Sequence, residues 1–181
     1  MLIGVTGLAG AGKSTTISYI AKHVAGAEVY VGEYIKKEVS RRGLEQSPET
    51  ERIIREDVRA TEGDDAFARR ALPEIESVLE SGTAFIDAVY VQAEWELYCS
   101  VFPDKTTLLH IDTSQEQRIR RLAKRKCRPL TRQELIDRDE FELCTLHLDQ
   151  VFAIADKRLP NETEVSDLYD RLRELITPSR A

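Results

Sequence analysis

Apolar residues follow two rhythms along this chain. Short, mainly apolar runs lie at Leu2–Thr6, Ala27–Val31, Thr83–Asp87 and Thr106–Asp112. Runs of that kind, ended by glycine or a polar residue, predict strands buried on both faces of a parallel sheet. Between them the apolar positions recur at helical spacing. Ile17, Ile20, Ala21 and Val24 predict a helix from Lys13 to about Val24, and the pattern stays helical from Glu33 to Gly43. Ser47-Pro48-Glu49 joins an N-cap residue to proline at the first helical position. Phe67, Ala71, Leu72, Ile75, Val78 and Leu79 predict a helix over 64–80, and Trp95, Tyr98 and Phe102 mark one after the third strand. Gln115–Lys126 reads as a basic helix, Thr131–Ala155 as mostly helical, and Val165–Ile176 as an amphipathic terminal helix. Strands alternating with helices predict a three-layer α/β domain over 1–181. It holds a parallel sheet of about five strands with helices on both faces, and the basic region stands out as an excursion.

Composition narrows the class. The 181 residues are 41% hydrophobic and 32% charged, which suits one solvated domain with a real core rather than a disordered or membrane-embedded chain. A formal charge of −6 argues against a general nucleic-acid or anionic-membrane partner. Three widely spaced cysteines without a Cys-x-x-Cys pair, and three scattered histidines, give neither a disulfide scaffold nor a local metal motif. With no charged leader and long apolar segment after Met1, the expected location is cytoplasmic.

Gly7-Leu8-Ala9-Gly10-Ala11-Gly12-Lys13-Ser14 matches G-x-x-x-x-G-K-[ST] at every fixed position. Glycines let successive backbone N–H groups turn inward around a phosphate, and the positive end of the following helix points at the same place. Lys13 is then the phosphate clamp and Ser14 a ligand for Mg²⁺. The predicted strand before the motif and helix after it assign a nucleoside triphosphate site.

The other parts of such a site have candidates, each with a plainer alternative. Asp87 ends an apolar strand and suits a metal-facing carboxylate, although Asp112 ends the next one in the same way. Glu33 and Lys36 follow the second strand, where they either grip an acceptor or merely start an exposed helix. Between Ser114 and Arg132 eight cations face one acid, for a net +7. Arg118, Arg121 and Arg125 share one helix face, either as a lid closing over the transferring phosphoryl group or as a solvated surface. Arg138-Asp139 reads equally as an ion pair or as a transition-state arginine, and Cys127 among cations is the thiol expected to react most readily. The signatures of GTPases are missing, since Asn161 is the only asparagine and no Asp-x-x-Gly occurs.

In order along the chain, several segments carry a resemblance. They are Gly4-Val5-Thr6-Gly7 with the phosphate loop, Gly32-Glu33, Arg41-Arg42-Gly43-Leu44, Ala68-Arg69-Arg70, Ile86-Asp87, Arg118–Arg125, Arg138-Asp139, and Ala155-Asp156 with Asn161. Together they resemble the P-loop nucleotide kinases related to dephospho-CoA kinase and adenylate kinase, and in particular a largely archaeal nucleotide-kinase-like branch. The resemblance implies ATP with Mg²⁺ on Gly7, Ala9, Gly10, Ala11, Gly12, Lys13, Ser14, Thr15 and Asn161. It implies catalysis by Lys13, Asp87 and lid arginines Arg118, Arg121 and Arg125 from a lid of about 114–140. A small nucleotide-like acceptor is expected near Glu33, Lys36, Arg59 and Arg70, in a monomer or homodimer. One departure stands out: that branch carries Asp-Gly-x-Arg after the third strand, and here the segment is Asp87-Ala88-Val89-Tyr90. The replaced arginine leaves a second reading open, an ATP-dependent regulatory or assembly switch with little chemistry.

Overall fold

The first strand, β1 (Leu2–Thr6), is buried at every position, because it runs through the centre of the sheet. We describe residues 1–125 and 129–176 of a computed structural model; Lys126, Cys127 and Arg128, and with them the reactive-thiol expectation, lie outside the described residues. After β1 come α1 (Lys13–His23), β2 (Gly26–Val29), α2 (Gly32–Arg41), α3 (Pro48–Glu62), α4 (Ala66–Ser81), β3 (Thr83–Asp87) and α5 (Gln92–Val101). The rest is β4 (Thr106–Asp112), α6 (Gln115–Ala123), α7 (Arg132–Cys144), α8 (Leu148–Ala153), β5 (Lys157–Pro160) and α9 (Val165–Ile176). The strands form one sheet in the order β2-β3-β1-β4-β5, and every neighbouring pair is parallel.

Alternate residues of each central strand feed two cores. Leu2, Ala84, Ile86 and Leu108 pack with Val39, Ile54, Phe67, Ile75, Trp95 and Tyr98 on the face covered by α2, α3, α4 and α5. Ile3, Val5, Phe85, Leu109 and Ile111 pack on the opposite face with Ile17 and Ile20 of α1 and Leu168 and Leu172 of α9. This two-sided burial is why the strands read as unbroken apolar runs. Each fully buried aliphatic side chain, such as Ile20, contributes about 1.5–3 kcal/mol of transfer free energy.

Caps set several boundaries. Ser47 Oγ accepts from the Thr50 amide at 3.1 Å and starts α3 as its sequence predicts. Thr131 and Glu134 close a reciprocal capping box at the start of α7. The stretch 131–155, expected to be mostly helical, is α7 and α8, separated by a turn at Thr145–His147 in which His147 has φ 51°. The second strand is shorter and earlier than its pattern suggests: it pairs only with β3, from Gly26↔Thr83 to Val29↔Ile86. The basic helix stops at Ala123. β5 buries only Leu159, so its local signal is faint. No helix among the described residues is long and apolar enough to cross a membrane.

Candidate active site

β1 delivers the chain to a loop between Gly7 and Gly12 whose glycines take φ +142°, +81° and +113° at Gly7, Gly10 and Gly12. At Gly7 no other residue fits, since a Cβ there would stand 2.5 Å from the Ile111 carbonyl oxygen of β4. The outward carbonyls of the loop are held from behind. Ala9 O accepts from Arg118 NH1 at 3.2 Å, and Ala11 O accepts from Asn161 Nδ2 at 2.7 Å and from Thr113 Oγ1 at 3.0 Å. In a planar trans peptide, a carbonyl fixed outward leaves the next N–H pointing the other way. The Gly10 and Gly12 amides are thereby turned toward the loop's concave side, at the start of α1, where helix partial charge favours an anion.

Lys13 and Ser14 open α1. Lys13 Nζ donates to Gly7 O at 2.7 Å and to Leu8 O at 3.2 Å, and lies 5.6 Å from the centre of the Tyr90 ring. Burial pulls its pKa down to about 8, although the carboxylates of Glu142 and Asp87 act in the other direction. Asp87 ends β3 opposite Val5 in register and accepts from Ser14 Oγ at 3.4 Å. Burial raises the Asp87 pKa, opposed by Lys13 and by the Ser14 hydroxyl. A hydroxyl and a carboxylate side by side are hard oxygen donors that suit Mg²⁺. Among the described residues no group of three or more acidic, histidine or cysteine side chains could hold a metal alone. The fit is therefore to a cation that arrives with phosphate oxygens, held from the protein side by Ser14 and Asp87. Thr15 follows in the first turn of α1, half-buried.

The arginines expected to form one lid face are separated by the fold. Arg118 is 2% exposed. Its guanidinium forms two bonds to Asp139 of α7, at 2.8 and 2.7 Å, and donates to the Thr113 and Ala9 carbonyls. The structure thus places Arg118 in an ion pair behind the phosphate loop, because packing α7 on that face supplies a carboxylate that helical spacing cannot reveal. Arg121 donates to Asn161 Oδ1 and Thr163 O, and Arg125 is exposed. Asn161, 5% exposed, braces the phosphate loop with its amide.

The expected acceptor residues fall into different places. Glu33 and Lys36 pair at 3.6 Å and line a cleft between α2 and α3 with Lys37, Ser47 and Glu51. Arg70 bridges Glu38 and Glu62. Glu38 is a buried carboxylate whose pKa is held at about 2 by hydrogen bonds from Arg41 and Arg42. In that network Arg70 ties α4 to Glu38 of α2 and Glu62 of α3, apart from Glu33 and Lys36. Arg59 lies elsewhere, bonded to Glu94 at 2.9 Å. Asp112, the competing metal carboxylate, is instead bound by Arg158.

Two neighbours of Lys13 escaped the sequence reading or were left undecided there. Glu142, 3% exposed, accepts from Arg138 Nε at 2.7 Å and lies within electrostatic reach of Lys13. Arg138 is therefore an ion-pair member, four residues before its partner on α7. Tyr90 has a pKa raised to about 12, chiefly by burial and then by Glu142. The Arg138–Glu142 spacing is a weak local signal that one helix face is charged; nothing in it tells which site the face meets.

Comparison with known proteins agrees with this geometry. The AAA domain family matches residues 3–142. A UPF0200 protein of Methanothrix thermoacetophila is 30% identical over 181 residues, covering 97% of this chain and 96% of its own. One from Methanoculleus marisnigri is 33% identical over 177 residues, covering 97% and 94%. Among solved structures, TT1252 from Thermus thermophilus superposes with a TM-score of 0.68 at 18% identity, over 100% of this chain and 98% of its own. Shikimate kinase from Bacteroides thetaiotaomicron does so with a TM-score of 0.60 at 16% identity, over 97% and 98%. Those likenesses are of fold: the five-stranded parallel sheet and its covering helices have the arrangement seen in these two structures. With its phosphate loop inside the matched region and 97% of its length covered by the relatives, the chain belongs to the AAA domain family and to the UPF0200 proteins.

Proposed function

We propose that this protein is an ATP-dependent phosphotransferase that moves the γ-phosphoryl group of ATP to a small nucleotide-like acceptor. The observation that carries this reading is the phosphate loop, with its carbonyls at Ala9 and Ala11 held outward and Lys13 and the Ser14–Asp87 pair at its mouth. Such transfers need little covalent chemistry from the protein and depend on positioning and charge. Loop amides and Lys13 bind the polyphosphate, and Lys13 exchanges its bonds to Gly7 O and Leu8 O for phosphate oxygens. Ser14 and Asp87 would hold Mg²⁺, which would supply charge neutralisation to the polyphosphate. Arg121 of α6 and Arg125, just past its end, are the expected lid cations that would face the transferring group, with Arg118 holding the loop from behind.

The test is ADP formation from ATP and Mg²⁺ across a panel of nucleoside monophosphates and dephospho-CoA, with Lys13→Ala as control. ADP made only with a particular acceptor, and lost in the variant, is the expected result; full activity in Lys13→Ala refutes the reading. Tyr90 favours a second reading, a nucleotide-driven switch. It stands where the resembled branch has arginine and lies against Lys13, and slow hydrolysis independent of acceptor identifies that case.

A further inference from the structure

Six tyrosines occur in the chain, and the fold sets one of them apart. The hydroxyls of Tyr19 and Tyr98 are buried, and that of Tyr34 is bonded to Glu74 at 2.7 Å. Tyr30 lies under Lys36, and Tyr169 stacks on Tyr19. Tyr90 is the tyrosine at the phosphate loop, half-buried, with Lys13 Nζ 5.6 Å from its ring centre. The backbone beneath it is held on both sides. Val89 N donates to Val5 O at 3.1 Å, Val89 O accepts from Thr6 Oγ1 at 2.9 Å, and Glu94 accepts from the Tyr90 amide at 3.1 Å. Arg59 holds Glu94 in turn, at 2.9 Å. The phenol therefore stands on a fixed base beside the lysine that would clamp a triphosphate.

Charges suited to phosphoryl transfer surround that phenol. Among the charged groups Glu142 acts on it most strongly, followed by Arg138, Asp87 and Arg55. Glu142 is 3% exposed; its Oε1 accepts from Arg138, and its Oε2 is buried without a partner. Arg138 interacts with the Tyr90 side chain as well. A hydroxyl, a carboxylate oxygen with room to accept a proton, and a guanidinium thus meet beside Lys13. We propose that Tyr90 is an autophosphorylation site, which takes the γ-phosphoryl group of ATP within its own chain. The Tyr90 oxygen bonds to the γ-phosphorus as the bond from that phosphorus to the β–γ bridging oxygen breaks. ADP departs with the electron pair of the broken bond, and the phenolic proton passes to Glu142 Oε2. Phosphotyrosine carries about −1.5 to −2 charge at pH 7, and Lys13 and Arg138 are at hand to pair with it. A second triphosphate then meets an anion already in place, so the transfer shuts the site. The proposal rests on the ATP site of the phosphotransferase reading and adds to it an acceptor internal to the chain.

The experiment incubates the full chain with ATP and Mg²⁺, with no acceptor added, and follows intact mass, the modified peptide and ADP. The expected result is a gain of one phosphoryl group per chain, located on Tyr90, with one ADP released per chain and a rate independent of protein concentration. Lys13→Ala and Tyr90→Phe gain none, while Tyr90→Phe, which keeps the ring, still binds ATP. Glu142→Gln slows the gain about a hundredfold. The phosphorylated chain binds ATP about tenfold more weakly than the untreated one. Phosphate on another residue, a rate that rises with protein concentration, or labelling of Tyr90→Phe equal to that of the parent overturns the inference. So does continued ADP release without a gain in mass, which marks hydrolysis by water. Calorimetry with ATP keeps the two readings apart: ATP binding without phosphorylation overturns this inference alone, and absence of ATP binding overturns both.

Discussion

Arg118 and Asp139 meet as a bidentate pair across 21 residues, NH1 to Oδ1 at 2.8 Å and NH2 to Oδ2 at 2.7 Å, with side chains 3% and 7% exposed. The same guanidinium donates to Ala9 O, so the pair fastens α6, α7 and the phosphate loop at one point. Gln115 Nε2 adds a bond to Asp139 at 3.2 Å. Breaking a buried pair from one side leaves a charge without compensation, which costs about 3–5 kcal/mol. Asp139→Ala should lower stability by that amount in urea denaturation and lower the melting temperature by roughly 10 °C, at the 2–4 °C per kcal/mol of a chain this size. Arg118→Leu/Asp139→Leu should recover much of the loss. A cost below about 1 kcal/mol for Asp139→Ala speaks against the pair as a fastening.

The lowered Lys13 pKa has a defined consequence for binding. Its value of about 8 lies below the ordinary 10.5, so between those values the unfolded chain holds more protons and Lys13's contribution to stability rises with pH. Triphosphate binding runs the other way, because it requires the ammonium form. ATP affinity should fall about tenfold per pH unit above pH 8. At pH 8.5 the complex should take up about three-quarters of a proton, visible as a dependence of the calorimetric heat on buffer ionisation enthalpy. Binding without proton uptake there contradicts the assignment of Lys13 as the clamp.

Ser14 and Asp87 predict a specific metal dependence. Ser14→Ala and Asp87→Asn should each reduce the gain in ATP affinity on adding Mg²⁺ by about tenfold, ~1.4 kcal/mol, and leave metal-free binding nearly unchanged. Magnesium titrations at fixed ATP measure this directly. A Mg²⁺ response equal to that of the parent chain would remove both residues from the metal site.

Gly7 and Gly43 make a matched comparison. Both have positive φ, +142° and +70°, but a Cβ at Gly7 meets a backbone oxygen at 2.5 Å while one at Gly43 meets nothing within 4 Å. Gly43→Ala should cost about 1–2 kcal/mol for its left-handed backbone alone. Gly7→Ala should cost more and abolish ATP binding, whereas Gly43→Ala should leave it intact. Comparable stabilities with ATP binding retained in both would mean that the close approach to Ile111 is not what shapes the loop.

The legible parts of this protein are those whose causes lie close together in the chain. Gly7 to Ser14 are consecutive, and strand, glycine turn and helix follow from neighbouring residues. Leu2–Thr6 and Thr83–Asp87 announce a buried parallel sheet because both faces of each strand are apolar. The surroundings of Arg118 were not legible for the opposite reason: its partner Asp139 is on another helix. The same holds for Arg70 and Glu38. Arg55 has no distinguishing local signal because α3 carries many charges, and only the tertiary structure sets it beside Phe141 and within electrostatic reach of Arg138.

Local order along the polymer thus establishes an α/β sheet and a phosphate-cradling turn, because backbone geometry and apolar periodicity act over a few residues. Which charges are satisfied and which remain available is settled only when distant segments pack. Burial makes the energy of an ion depend on whatever lies within a few ångströms, and for Arg59, Arg118 and Asn161 those neighbours are 35, 21 and 150 residues away.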